Sequence, residues 1–180
     1  MSGCRVGPAW RARGVAGLLA GLAACAPTLD WRDVRPAGLG VAAQFPCKPT
    51  RETRAVTLAA TPVSMTLVAC SAGGATFGLA VVELADPRAR GAVRDALRDA
   101  VAGNLGAAAR VDGAASVPGA DADPAPRRER ADGRLPDGQV VGQQLVSFAR
   151  GLRVYQATAQ GARLDSAAIA PFFESLQVIP

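Results

Sequence analysis

The chain contains no histidine. That removes Ser-His-Asp and Cys-His catalysis and every metal site built on imidazole. Lysine is almost missing as well: Lys48 is the only one, and the remaining 19 of 20 basic residues are arginine. Aromatic residues make up 4% of the chain, so a core has to be assembled from Val, Leu and the five Phe. The hydrophobic share of 49% is carried largely by Ala. No apolar run reaches the roughly 20 residues that a bilayer-spanning helix needs. Acidic side chains are not grouped for chemistry. Asp121 and Asp123 form a D-x-D, but no EF-hand spacing surrounds them, and a calcium site needs six or more oxygens. Gly73-Gly74 falls between two strand-like runs, which fits a hairpin turn and not a phosphate loop. The run Arg127-Arg128-Glu129-Arg130 offers positive charge for an anionic headgroup or acidic partner, with a solvated strand face as the plainer expectation. Glu83, Asp86 and Glu174 stand at element ends and on a helix surface. No catalytic, cofactor-binding or metal-binding residue is expected.

What is present begins at the N-terminus. Arg5, Arg11 and Arg13 precede an uncharged run of Gly, Val, Ala and Leu from Gly14 to Ala24. A basic segment, an apolar segment and small residues in this order are the layout of a secretory signal peptide. Leu22-Ala23-Ala24-Cys25 resembles the lipobox of bacterial lipoproteins. The resemblance implies that Cys25 is acylated on its thiol and that the chain is cut before it. Residues 1–24 are then a signal peptide and 25–38 a lipidated cysteine with its tether. A signal anchor, an unlipidated export signal and a cytosolic protein are the alternatives. Ala26 after the cysteine resembles the outer-membrane sorting rule of some Gram-negative bacteria, which implies a lipid-anchored protein facing the periplasm. Removing the three arginines of residues 1–24 takes the net charge from +5 to +2. A charge that low, with no dense basic stripe, argues against nucleic acid as a partner.

Cysteine usage fits an exported protein. With Cys4 and Cys25 in the targeting segment, Cys47 and Cys70 remain as an even pair in an oxidising space, which favours a disulfide. Two unpaired thiols, one buried in a strand, are the alternative.

Along the rest of the chain, Ala26 to Pro36 has no clear period and reads as tether, with Asp30-Trp31 either docked or exposed. Leu39 to Phe45, Arg54 to Leu58, Val63 to Cys70 and Thr76 to Leu84 alternate as strands. Val63, Met65, Leu67 and Ala69 share a face opposite Ser64 and Thr66. Asp86-Pro87 then reads as an N-cap and first helical residue. Val93, Ala96, Leu97, Ala100, Val101 and Leu105 form one helical stripe, with Arg94, Asp95, Arg98 and Asp99 on the opposite face. Weaker strands are expected over 107–116 and 127–131, and a hairpin over 139–159 turning at 149–151. Ile169, Phe172, Phe173 and Leu176 give a second helical stripe. It starts either near Ala170 or at an Asp165-Ser166 cap with Pro171 in a distorted first turn. Gln177 to Ile179 reads as a short strand. Strands, a helix, strands and a helix make an α+β fold, an antiparallel β-sheet with helices packed on it.

Val41-Ala42-Ala43-Gln44-Phe45-Pro46 followed by Pro49 resembles the opening motif of bacterial PsbP-like domains. Arg54 to Cys70 is similar to their first hairpin, Ala92 to Leu105 to their central helix, and Pro171-Phe172-Phe173-Glu174-Ser175-Leu176 to their closing helix. The resemblance covers residues 39–179 and implies a PsbP-like α/β/α sandwich over residues 39–180. It implies a binding or assembly role and transfers no catalytic residues. A non-enzymatic module that contacts an unknown envelope protein is therefore the first expectation. A carrier of a small apolar or lipidic ligand is the second, and it requires a hollow of roughly 300 Å³ or more between sheet and helix. An enzyme is the third.

Overall fold

A computed structural model of the chain describes residues 29–180. The expected signal segment, with Cys4, and the expected lipidation site, Cys25, lie outside these residues. The elements in order are β1 (Arg32–Val34), β2 (Val41–Phe45), β3 (Thr50–Leu58), β4 (Thr61–Ala72), β5 (Ala75–Glu83), α1 (Arg90–Gly103), β6 (Arg110–Ala114), β7 (Arg127–Arg134), β8 (Val140–Arg150), β9 (Arg153–Gly161), α2 (Ser166–Glu174) and β10 (Gln177–Val178). Seven strands form one antiparallel sheet in the order β3-β4-β5-β9-β8-β7-β6. A small sheet, β1-β2-β10, accompanies it. The fold is α+β, mostly antiparallel.

The chain reaches this order by two meanders. Tight turns join β3, β4 and β5, and α1 then carries the chain to the far edge. The second meander returns β6, β7, β8 and β9 until β9 pairs with β5. Gly73 and Gly74 turn β4 into β5 at φ 59° and 76°. The β3–β4 turn has the same left-handed backbone at Ala59 and Ala60 (φ 48° and 58°), the two-residue geometry that matches strand twist.

Both faces of the large sheet are covered. On one face Phe77, Leu79, Val81, Phe148 and Tyr155 pack with Ile169, Phe172 and Phe173 of α2 and with Val41 and Phe45 of β2. On the other, Val82 and Val154 pack with Val93 and Leu97 of α1. This corrects the expected burial of β4. Thr66 and Val68 are buried, while Met65, Leu67 and Ala69 are only partly so. The alternation along β4 separates two covered faces and not core from solvent, and the Thr66 hydroxyl is matched by that of Thr53 at 2.8 Å.

Other boundaries shift for local reasons. Strand β3 begins at Thr50, because β4 is long enough to pair its polar first residues (Thr50 with Ala69). Asp86 caps a 3-10 turn, Pro87–Ala89, by accepting from the Arg88 N–H at 2.9 Å, and the α-helix proper starts at Arg90. Asp165 caps α2 through the Ala167 N–H at 3.0 Å, and Pro171 is the sixth helical residue, beyond the first turn where it was expected. The expected tether of residues 25–38 overlaps the fold: β1 pairs with β2, and Trp31 meets Phe77 edge-to-face at 6.2 Å. Cys47 and Cys70 are joined, with S–S 2.03 Å and Cα atoms 6.0 Å apart.

Candidate ligand groove

Helix α1 is amphipathic, but its apolar stripe is only partly absorbed by the sheet. Val93 and Leu97 are buried beneath it. Ala100, Val101 and Asn104, nearer its C-terminal end, instead border a hollow of about 500 Å³ between α1 and the sheet. Met65, Leu67 and Ala69 of β4 form one side, with Val56 and Leu58 of β3 as the outer wall. Gly78 and Ala80 of β5 and Gln156, Thr158 and Gln160 of β9 form the rest of the floor.

The hollow exists because the residues beneath it are small. Gly78 sits in the middle of a nine-residue strand, where glycine weakens the ladder and leaves room for close approach. Its backbone is not in the left-handed region, so conformation does not require glycine. A Cβ there would meet only Leu67 Cδ1, at 3.6 Å. The missing side chain is missing volume.

Chemically the groove is two-sided. Strands β3 and β4 and helix α1 supply aliphatic surface. Along β9, Gln156, Thr158 and Gln160 recur at every second residue, about 7 Å apart, on one face. Arg54 is the only charged residue in the lining, and its side chain stands exposed on β3. Gln160 accepts from Gln143 Nε2 at 3.1 Å. Gln156 is 2% exposed, and neither its Oε1 nor its Nε2 has a partner.

The sheet residues toward β7 carry charge. Glu129 is 1% exposed. Arg127 Nε approaches it at 3.3 Å and Arg98 at 3.8 Å, while Asp95 joins Arg98 and Arg127 at 3.2 Å each. Burial pushes the Glu129 carboxyl above its ordinary value, against the pull of Arg127, Arg98 and Arg94. Burial likewise lowers Arg94, helped by Arg127. The run 127–130 is therefore not uniformly solvated. Glu129 points into the interior, and its neighbours Arg94, Asp95 and Arg98, expected on the solvent side of α1, form the lid over it.

Among the remaining sequence candidates, Asp121 and Glu83 have structural partners. Asp121 holds Arg90 at 2.7 Å, Arg150 at 3.2 Å and the Gly151 N–H at 2.8 Å, tying the loop before β7 to two other elements. Glu83 pairs with Arg153 at 3.0 Å. No group of three or more His, Cys, Asp or Glu among the described residues is arranged to hold a metal. No described helix is long and apolar enough to cross a membrane.

A hollow between sheet and helix was the condition for a carrier, but no residue lining it was expected to bind a ligand. Its signals were present but local: a glycine inside the alternating run Ala75–Glu83, and glutamines spaced along an otherwise apolar strand. No protein-family model matches the chain, and no curated protein matches it either.

Proposed function

We propose that this chain is a lipoprotein of the bacterial cell envelope, anchored through Cys25 and facing the periplasm from the outer membrane. Its PsbP-like domain acts without catalysing a reaction, as a carrier of a small apolar or lipidic ligand. The observation that carries this reading is the hollow of about 500 Å³ between α1 and the sheet, within the range of small-molecule sites. Its aliphatic walls suit a hydrocarbon body, and it reverses the order of expectations drawn from the sequence, which put an assembly module first. The non-enzymatic part rests on the absence of histidine and on Glu129, the one buried carboxylate among the described residues, being held between arginines.

Two measurements test the reading. Mass spectrometry of the membrane fraction is expected to find an acylated N-terminal Cys25; a fragment with Gly21-Leu22 intact overturns the anchor. Titration of the full-length protein with a dansyl-labelled acyl chain is expected to give saturable binding that Ala80→Phe, which places a ring on the groove floor, abolishes. Absence of binding to the unmodified protein overturns the carrier.

A further inference from the structure

We propose that the ligand of this groove carries a neutral carboxamide-type head, and that Gln156 is the residue that reads it. The inference rests on the carrier reading and adds the chemical class of the ligand.

Three polar atoms at one place on the α1-facing side of the sheet are unmatched. Gln156 lines the groove and is 2% exposed, with neither Oε1 nor Nε2 hydrogen-bonded. Ser147 lies directly opposite it across the β8–β9 ladder, is 1% exposed, and its Oγ also lacks a partner. Residues opposite one another in an antiparallel pair project to the same face. Buried polar atoms without partners are rare in folded proteins and cost stability. Gln143, four positions along β8 on the same face, is half matched: its Nε2 donates to Gln160 at 3.1 Å while its Oε1 has no partner. Gln156 has no such neighbour, so its hydrogen-bonding capacity is left for something that enters the groove.

The pattern of that capacity selects the ligand. A glutamine side chain offers an acceptor and two donors in one plane. The complementary group has one donor and one acceptor side by side, as in a carboxamide, a lactam or a ureido group. A pure hydrocarbon would leave the glutamine unmatched. An ionised carboxylate has no donor for Oε1 and would lose its solvating water, and Arg54, the one charged residue in the groove lining, stands exposed at the rim. The aliphatic residues Met65, Leu67 and Leu97 then take the apolar body. Gln156 acts as a specificity residue and the hydrocarbon walls supply affinity.

The test compares decanamide with N,N-dimethyldecanamide, which keeps the chain and the carbonyl but loses both donors. Binding to the full-length protein is measured by displacement of the dansyl-labelled acyl chain. Decanamide is expected to bind about tenfold more tightly, the factor that corresponds to ~1.4 kcal/mol. In Gln156→Met, which keeps the length and removes the amide, the two are expected to bind equally. Equal binding to the unmodified protein, or a preference that survives in Gln156→Met, overturns the assignment while leaving the groove as a carrier site. Failure of both compounds and of the labelled chain to bind overturns the carrier reading and this inference together. The comparison in the unmodified protein decides the matter even if the variant does not fold.

Discussion

Replacing Gly78 by valine tests whether the groove is empty by design. In an ordinary packed sheet a new branched side chain in a central strand collides with its neighbours and costs about 1–3 kcal/mol. Here the first added carbon meets only Leu67 Cδ1, at 3.6 Å, and the methyls extend into a hollow of about 500 Å³. Removing a glycine from a strand interior recovers roughly 0.5–1 kcal/mol of backbone entropy. Each methyl that leaves water adds up to about 0.8 kcal/mol, less what the unfolded chain already buries. Gly78→Val is therefore expected to stabilise the domain by about 1–2 kcal/mol. For a domain of this size that raises Tm by roughly 2–8 °C. Urea unfolding followed by tryptophan fluorescence measures it, because Trp31 packs on Phe77 of the same strand. The same variant is expected to weaken binding of the labelled acyl chain at least about tenfold, an effect of ~1.4 kcal/mol. A destabilised Gly78→Val would mean that the space is already filled and would refute the reasoning. A stabilised variant that binds as well as before would move the ligand elsewhere. Gly133→Ala is the control: its Cβ would overlap the Leu105 carbonyl oxygen and lie 2.9 Å from the Leu105 Cβ, so a loss of about 1–3 kcal/mol is expected from the smaller change.

Tyr155→Phe removes the hydroxyl that donates to the Leu39 carbonyl at 3.0 Å in the buried core. A loss of about 1–2 kcal/mol in urea unfolding is expected from the unmatched carbonyl. Reducing the Cys47–Cys70 bond, which spans 23 positions, is expected to cost about 3 kcal/mol by the chain-entropy model, read as a lower urea midpoint in dithiothreitol. Glu129 sets a pH dependence. Because burial raises its folded pKa above the reference of 4.5, the native state holds this proton to higher pH than the unfolded chain. Its contribution is most favourable below about pH 4.5 and is lost as pH rises through the raised value. Stability measured between pH 4 and 7 is therefore expected to fall more steeply with rising pH in the unmodified protein than in Glu129→Gln. Parallel curves would refute the assignment.

Much of the fold was legible because its determinants are local. The stripe from Val93 to Leu105 has one helical solution. The runs ending at Gly73-Gly74 and Gly151 carry turn residues at the points where the strands reverse, whereas nothing in Ala59-Ala60 marks the β3–β4 turn. Cys47 and Cys70, the two cysteines outside the N-terminal segment, form an even pair that points to a bond. Asp86 and Asp165 announce caps because a short carboxylate before a helix satisfies free N–H groups. The unperiodic stretch around Trp31 gave no sign of joining a sheet, since the three residues Arg32–Val34 acquire their strand only from β2.

By itself the sequence determined the α+β class, the existence and order of the main strands and helices, and the pairing of Cys47 with Cys70. Tertiary structure alone decided that both faces of the large sheet are covered, so that Thr66 and Val68 are interior and Glu129 is buried among arginines. It also decided that α1 leaves part of the sheet bare, which turned Gly78 from a weak point in a strand into the floor of a groove and left Gln156 without a partner. The reason is physical. Periodicity and capping act between residues a few positions apart, whereas burial, electrostatic environment and empty volume depend on which surfaces meet, and those are brought together by segments that lie far apart in the chain.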